Sequence, residues 1–155
     1  MNTRTVLVVD DDPGMREVMS NILAIDRATV HTAVDGKDAI QKTLTVRPDL
    51  ILLDINMPNL NGLTFCKAIR AGAETSRIPI IVVTAVTAPG KLEECMSAGA
   101  DDFVEKPFRV EELLIRVRAM FATTHITDHV ERLQQYIVTV RELREKKRPD
   151  TTPES

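Results

Sequence analysis

Short apolar runs alternate with stretches of helical periodicity along most of this chain, and that alternation limits the fold more than any other feature of the sequence. Residues 6–9, 50–53 and 80–83 are continuous apolar runs of the kind that forms strands buried on both faces, as in a parallel sheet. Two weaker strands are predicted at residues 28–33 and 102–105. The pattern therefore predicts a sheet of five short strands in an α/β protein.

Helical patterns follow the predicted strands. The helices are expected to begin at or near Pro13, Gly36, Gly62 and Lys91 and after Pro107. The first has Asp12 in position to cap it, followed by Pro13 at the first helical position, where proline is well tolerated. Five strands alternating with five helices predict a right-handed, doubly wound sheet. A sheet of this size favours the flavodoxin-like strand order 2-1-3-4-5.

The composition is that of a folded protein with no strong electrostatic preference for a partner. Of the 155 residues, 43% are hydrophobic but only 3% are aromatic, so we expect a core of aliphatic side chains. The net charge of −3 gives no reason to expect direct nucleic-acid binding. No apolar run approaches the ~18 residues of a membrane span. Cys66 and Cys95 lack CxxC spacing, so we expect free thiols and a reduced, cytoplasmic location.

Reactive side chains follow four of the predicted strands. They are Asp10, Asp11 and Asp12 after the first strand, Asp54 after the third, Thr84 after the fourth and Lys106 after the fifth. Because the carboxyl ends of parallel strands lie along one edge of a sheet, these side chains are expected to meet in one crevice. Each alone has an ordinary structural explanation, such as a solvated helix start or a loop charge. Their joint occurrence at four strand ends favours a functional site.

The chemistry expected in such a crevice is phosphoryl transfer assisted by Mg²⁺. The carboxylates of Asp10, Asp11 and Asp54 would repel one another, and a hard divalent cation with oxygen ligands relieves that repulsion. A carboxylate can attack phosphorus and form an aspartyl phosphate. The ammonium of Lys106 and the hydroxyl of Thr84 can bind phosphoryl oxygens, and the small Ala85 leaves room for them.

Four segments carry a resemblance to a known family: VVDDDP at residues 8–13, LLDINMP at 52–58, VVTA at 82–85 and EKPF at 105–108. Together they resemble the receiver domains of response regulators in bacterial two-component signal transduction, over residues 3–122. The chain is similar to the chemotaxis-type single-domain receivers, with a helical extension at its C-terminus. The resemblance implies the flavodoxin-like fold and a phosphorylation switch.

The resemblance also assigns the phosphoacceptor and the metal ligands. Asp54 corresponds to the residue that accepts the phosphoryl group. Asp10, Asp11 and Asp54, together with the backbone carbonyl of Asn56, correspond to the Mg²⁺ ligands, and Asp11 is expected to be the more direct ligand of the acidic pair.

The remaining roles concern phosphoryl handling and switching. Lys106 and Thr84 correspond to the lysine and the hydroxyl that act on the phosphoryl group, and Thr84 and Phe103 correspond to the switch pair. Phe103 stands where many receivers carry Tyr or His, so an aromatic ring is kept but a hydroxyl is lost. The Lys106–Pro107 bond corresponds to one that is usually cis, and Gly62 to a turn glycine after the acceptor loop.

The function implied is that of a signalling switch, not a turnover enzyme. A sensor histidine kinase or phosphotransfer protein would donate the phosphoryl group. The surface of helix 4, strand 5 and helix 5 would then change and control an unidentified output partner. Three alternatives remain: the receiver portion of a larger regulator, a receiver-like interaction module that works without phosphorylation, and an aspartate-nucleophile phosphatase. The last would need an acid two positions after its nucleophile, where this chain has Asn56.

The sequence predicts a receiver domain over residues 1–122, a helical extension over 123–148 and a disordered tail over 149–155. Asp128 followed by Glu131 resembles a capping arrangement. An apolar stripe follows, formed by Val130, Leu133, Ile137 and Val140. The stripe is compatible with a short coiled coil, with a linker, with a homodimer through residues 128–147, or with packing back on the receiver.

Overall fold

The computed structural model describes residues 3–85 and 89–147, and the predicted tail at 149–155 lies outside them. The chain is divided into two compact units. The first, Met1–Phe108, contains the sheet, and the second, Arg109–Ser155, contains the last two helices. No helix among the described residues combines the length and apolarity that a membrane span requires.

Within the described residues, five parallel strands form one sheet in the order β2-β1-β3-β4-β5. The strands are β1 (Thr5–Val9), β2 (Thr29–Ala33), β3 (Leu50–Leu53), β4 (Ile80–Thr84) and β5 (Asp102–Glu105). All four neighbouring pairs are parallel. The predicted flavodoxin-like order is therefore confirmed.

Helices alternate with the strands as predicted. In the first unit they are α1 (Pro13–Ala24), α2 (Gly36–Val46), α3 (Gly62–Ala71) and α4 (Lys91–Ser97). The second unit contains α5 (Val110–Thr123) and α6 (His129–Lys147). Because α1 contacts β1 and β2 while α2, α3 and α4 contribute to a core on the opposite face, the sheet has helices on both sides.

The core is aliphatic, in agreement with the composition. On one face of the sheet, alternate strand residues such as Leu7, Ile51 and Val82 pack with Phe65 and Ile69 of α3. The intervening residues of the three central strands are also buried, which explains why these strands are continuous apolar runs instead of alternating patterns.

Short polar side chains cap α1, α2 and α3, whereas α4 follows Gly90 without a side-chain cap. Asp12 accepts a hydrogen bond from the Gly14 amide at 2.9 Å, as predicted for the cap of α1. Gly62 does not lie in a turn, in contrast to the expectation from the family pattern. It is the first residue of α3, and a Cβ there would lie 2.8 Å from the Cγ2 of Ile55 and from the Sγ of Cys95. Close packing is therefore what requires a glycine at this position.

In the second unit, α6 packs against α5. Asp128 accepts a hydrogen bond from the Glu131 amide at 2.9 Å, which confirms the predicted capping arrangement. The predicted apolar stripe is not one surface, however. Val140 is buried together with Tyr136, whereas Val130, Leu133 and Ile137 are exposed.

Ion pairs also connect the two helices of the second unit. Glu112 of α5 pairs with Arg116 one turn later at 2.9 Å and with Arg144 of α6. Burial of the Glu112 carboxylate by itself raises its pKa, but the hydrogen bond from Arg144 and the charge of Arg116 lower that pKa overall.

Candidate functional site

The carboxyl ends of four strands bring the predicted site residues together. Asp10 and Asp54 follow β1 and β3, Thr84 is the last residue of β4, and Lys106 follows β5. Main-chain hydrogen bonds continue the sheet past the strand ends and fix these positions. The Asp54 amide donates to the Val9 carbonyl at 2.9 Å, and the Lys106 amide donates to the Thr84 carbonyl at 2.9 Å.

Lys106 connects the two buried carboxylates of the crevice. Its Nζ lies 2.8 Å from Asp10 Oδ2 and 3.3 Å from Asp54 Oδ2. Burial by itself would lower the pKa of Lys106, but the hydrogen bond to Asp10 and the negative charges of Asp54 and Asp10 raise that pKa overall. Lys106 is therefore held as a cation that faces both carboxylates.

The Asp54 carboxylate is only 7% exposed as a residue, and its two oxygens have different partners. Oδ1 accepts hydrogen bonds from the Thr84 hydroxyl and from the backbone amide of Asn56, each at 2.9 Å. Oδ2 faces the Lys106 ammonium. These contacts hold the carboxylate in one orientation at the end of β3.

Three carboxylates form the group that fits a divalent cation. Oxygen atoms of Asp10, Asp11 and Asp54 all lie within 4.8 Å of one another, with Asp11 exposed and the other two buried. Lys106 offsets one of these three negative charges. The donor set consists of oxygens and is open at Asp11, which matches the preference of Mg²⁺ for a few carboxylates and several waters.

The acceptor loop after β3 is attached to the end of β4. The side-chain amide of Asn56 donates a hydrogen bond to the Ala85 carbonyl at 2.5 Å. The sequence assigned Asn56 a role only through its backbone carbonyl, and this side-chain contact was missed. Its acceptor is a main-chain atom, which no residue pattern reveals.

Two further features of the family pattern lie in β5 and directly after it: the Phe103 ring and the Lys106–Pro107 bond. Phe103 is 41% exposed on β5, next to the buried Val104. Its ring therefore points away from the core in this conformation. The Lys106–Pro107 bond is cis, as the family pattern implied.

Comparisons with known proteins agree with this fold. The profile of the response regulator receiver domain matches residues 6–118. The chain therefore belongs to the receiver domain family of response regulators. Among curated proteins it is similar to the response regulator MprA of Mycobacterium ulcerans, with 40% identity over 123 residues, which cover 79% of this chain and 52% of that protein. The chain spans about half the length of the curated relatives it matches.

Solved structures show the same similarity. The chemotaxis response regulator CheY4 of Vibrio cholerae is 35% identical with a TM-score of 0.71, and the match covers 77% of this chain and 99% of that one. The receiver domain of the sensor histidine kinase PA1611 of Pseudomonas aeruginosa is 31% identical with a TM-score of 0.70, covering 80% and 99%. That structure has a magnesium ion coordinated in its active-site cleft.

Proposed function

We propose that this protein is a cytoplasmic phosphorylation switch whose phosphoacceptor is Asp54. The phosphoryl group would come from a phosphohistidine of a sensor histidine kinase or a phosphotransfer protein. The observation that carries the proposal is the asymmetric environment of the Asp54 carboxylate: Thr84 and Asn56 bind Oδ1, and the Lys106 ammonium faces Oδ2.

The proposed transfer is an in-line displacement at phosphorus. A carboxylate oxygen of Asp54 forms the new P–O bond while the P–N bond to the donor imidazole breaks, and the imidazole keeps the electron pair. Lys106 is placed to bind a phosphoryl oxygen, since its Nζ already lies 3.3 Å from Asp54 Oδ2. The Lys106 ammonium would then lose part of its contact with Asp10 and bind the phosphoryl oxygen instead.

Asp10, Asp11 and Asp54, with the backbone carbonyl of Asn56, would hold Mg²⁺. When bound, the cation would neutralise charge on the phosphoryl oxygens. The proximity of the three carboxylate groups supports this assignment. Mg²⁺ binding and phosphorylation should therefore depend on each other.

Phosphorylation adds about −1.5 to −2 charges at the end of β3. The Thr84 hydroxyl, which donates to Asp54 Oδ1, would then turn to the phosphoryl group. The outward ring of Phe103 would move into the space that Thr84 leaves, changing the surface of α4 and β5 that an output partner contacts. The protein would act in this way as a switch and not as a turnover enzyme.

Phosphate uptake tests the proposal. Wild type, Asp54→Asn and Asp12→Asn are incubated with acetyl phosphate and Mg²⁺ and weighed by intact mass spectrometry. Asp12→Asn is the matched control, because Asn caps a helix as well as Asp and the substitution removes a neighbouring exposed charge. Wild type and Asp12→Asn should gain about 80 Da, the mass of one phosphoryl group. Equal uptake by Asp54→Asn would refute the proposal, and an interaction module that works without phosphate would show no uptake at all.

One alternative is supported by the comparisons. Because the chain spans about half the length of its curated relatives, it is compatible with the receiver portion of a larger regulator. A phosphatase on this scaffold is not favoured, since Asn56 occupies the position of the required acid and its amide binds the Ala85 carbonyl.

Self-association through residues 128–147 remains a second part of the proposal. Val130, Leu133 and Ile137 form an exposed apolar strip on α6. A double variant, Leu133→Asp/Ile137→Asp, should reduce the mass measured by light scattering, whereas the exposed control Gln135→Asp should not. If all three proteins have the same mass at every concentration, this strip is not a dimer interface.

A further inference from the structure

Two thiols lie together in the core of the first unit, away from the phosphorylation chemistry described above. Cys66 is on α3 and Cys95 is on α4, two helices that contact each other. Cys66 is 0% exposed and Cys95 is 1% exposed, and both are free. Cys66 lies one helical turn after Gly62 on α3, and a Cβ on Gly62 would lie 2.8 Å from the Cys95 sulfur. α4 therefore places Cys95 against the face of α3 that carries Cys66, which is where a disulfide between the two helices would form.

A cavity borders one of the two thiols. It has a volume of about 200 Å³ and is lined by Leu60, Asn61, Gly62, Leu63, Lys91, Glu94 and Cys95. Cys66 is not among the lining residues. The missing side chain of Gly62 keeps the Cys95 sulfur close to this space, because a Cβ on Gly62 would lie 2.8 Å from it. Cys95 is therefore the outer thiol and Cys66 the inner one.

The two thiols shift each other's pKa in opposite directions. A hydrogen bond with Cys95, together with burial, strongly raises the pKa of Cys66. The same bond lowers the pKa of Cys95, against the opposing effects of burial and of Glu94, and nearby Lys91 lowers it further. Cys95 is the thiol that borders the cavity, so it is the one placed to meet an oxidant, and its thiolate is the reactive form.

We propose that Cys95 and Cys66 form a redox-sensitive pair, in which a small hydroperoxide oxidises Cys95 and Cys66 then closes a disulfide between α3 and α4. A cavity of about 200 Å³ is large enough for hydrogen peroxide, which is little bigger than water. The site is independent of Asp54 phosphorylation and needs no bound metal.

The proposed oxidation takes place in two balanced steps. The Cys95 thiolate attacks one peroxide oxygen, so that an S–O bond forms and the O–O bond breaks. The leaving hydroxide or alkoxide takes up the proton that the thiol released. The Cys66 sulfur then attacks the Cys95 sulfur, the S–O bond breaks, and water leaves with the remaining proton. Two thiols and one hydroperoxide thus give a disulfide, one water and one alcohol or second water.

The disulfide would tie α4 to α3. With seven residues and no side-chain cap at Gly90, α4 has little stability of its own and can adjust its position. Closing the disulfide would bring the two sulfur atoms to about 2.05 Å from each other, which would fix α4 on α3. The proposed output surface includes α4, so the oxidation state of this pair would be a second input to that surface.

Intact mass and peptide mapping of the full chain test the inference. Folded wild type exposed to hydrogen peroxide should lose about 2 Da, with the peptides of Cys66 and Cys95 joined by a disulfide within one chain. Cys66→Ser should instead form a sulfenic acid on Cys95 that dimedone traps, whereas Cys95→Ser should remain unmodified under the same conditions. Asp54→Asn should behave as wild type, which separates this inference from the proposed function.

A measurement on folded wild type complements the variants, since a core substitution can impair folding. Brief alkylation with iodoacetamide should label Cys95 well before Cys66. The inference is overturned if folded wild type keeps both thiols in peroxide while the urea-unfolded chain is oxidised. Equal oxidation of Cys95→Ser and Cys66→Ser, or faster labelling of Cys66, would overturn it as well.

Discussion

Two substitutions that remove the same groups can test which face of α6 packs against α5. Val140→Ala and Val130→Ala each delete two carbon groups from α6, but Val140 is 7% exposed and Val130 is 60% exposed. The comparison therefore separates the buried face of the helix from the exposed apolar strip. A helix that packed through the strip would give the opposite result.

The expected magnitudes follow from burial. Each buried carbon group contributes ~0.8 kcal/mol to stability. When the two groups are scaled by the buried fraction of each residue, they contribute about 1.5 kcal/mol at Val140 and about 0.6 kcal/mol at Val130. Because alanine has a higher helix propensity than valine, each substitution also stabilises α6 by about 0.5 kcal/mol. The net loss is thus about 1 kcal/mol for Val140→Ala and near zero for Val130→Ala.

Amide hydrogen exchange of α6 peptides, with α5 peptides as the internal reference, measures this difference. A loss of about 1 kcal/mol should speed exchange of α6 roughly fivefold in Val140→Ala, with little change in Val130→Ala. The experiment should be run at low protein concentration, so that self-association does not contribute. Faster exchange in Val130→Ala than in Val140→Ala, or equal exchange in both, would refute the packing described for α6.

Three further predictions concern the crevice and the ion pairs of the second unit. Lys106→Ala should remain folded by circular dichroism but accept phosphate about tenfold more slowly or worse, since hydrogen bonds to charged groups contribute ~1.5–3 kcal/mol; an unfolded variant would contradict this. Asp11→Ala should bind Mg²⁺ at least about tenfold more weakly in a titration, because a ligand of the acidic group is lost; unchanged affinity would place the metal elsewhere. Because the pKa of Glu112 is lowered in the folded protein, its contribution to stability is present above the unfolded value of ~4.3 and is lost as pH falls through the folded value. Urea unfolding should therefore show a stability loss below about pH 4 that is smaller in Glu112→Gln, and identical pH profiles would contradict the role of the Arg144 pair.

The three central strands of the sheet were predictable because they are buried on both faces. Such strands are continuous apolar runs, and the bounds of β3 at Leu50–Leu53 agree with the sequence prediction. The strand order followed from the number of units, since short βαβ connections leave few topologies. Helix ends were less predictable. For example, α2 ends at Val46, two residues before Pro48, and Arg47 adopts the left-handed conformation that glycine or asparagine usually takes at this position.

The choice of face on α6 was not predictable from periodicity. Apolar side chains occur on two neighbouring sides of this helix, with Tyr136 and Val140 on one side and Leu133 and Ile137 on the other. Either side satisfies a helical repeat, and the contact with α5 decides which one is buried.

The grouping of reactive residues at the strand ends was predictable, whereas their individual contacts were not. The topology brings Asp10, Asp54 and Lys106 to one edge of the sheet, and the sequence places them there. The partner of each carboxylate oxygen depends on distances of a few tenths of an ångström. The juxtaposition of Cys66 and Cys95 was missed for a similar reason, because it depends on how α3 and α4 pack.

The central claim is that Asp54 alone accepts the phosphoryl group, and locating the modified carboxylate tests it most directly. The protein is phosphorylated with acetyl phosphate and Mg²⁺, and borohydride then reduces the acyl phosphate to homoserine, a change of about −14 Da relative to Asp. Peptide sequencing by mass spectrometry should find homoserine at Asp54 and only aspartate at Asp10 and Asp11. Homoserine at either of those positions, or phosphorylated protein with unmodified Asp54, would contradict the account.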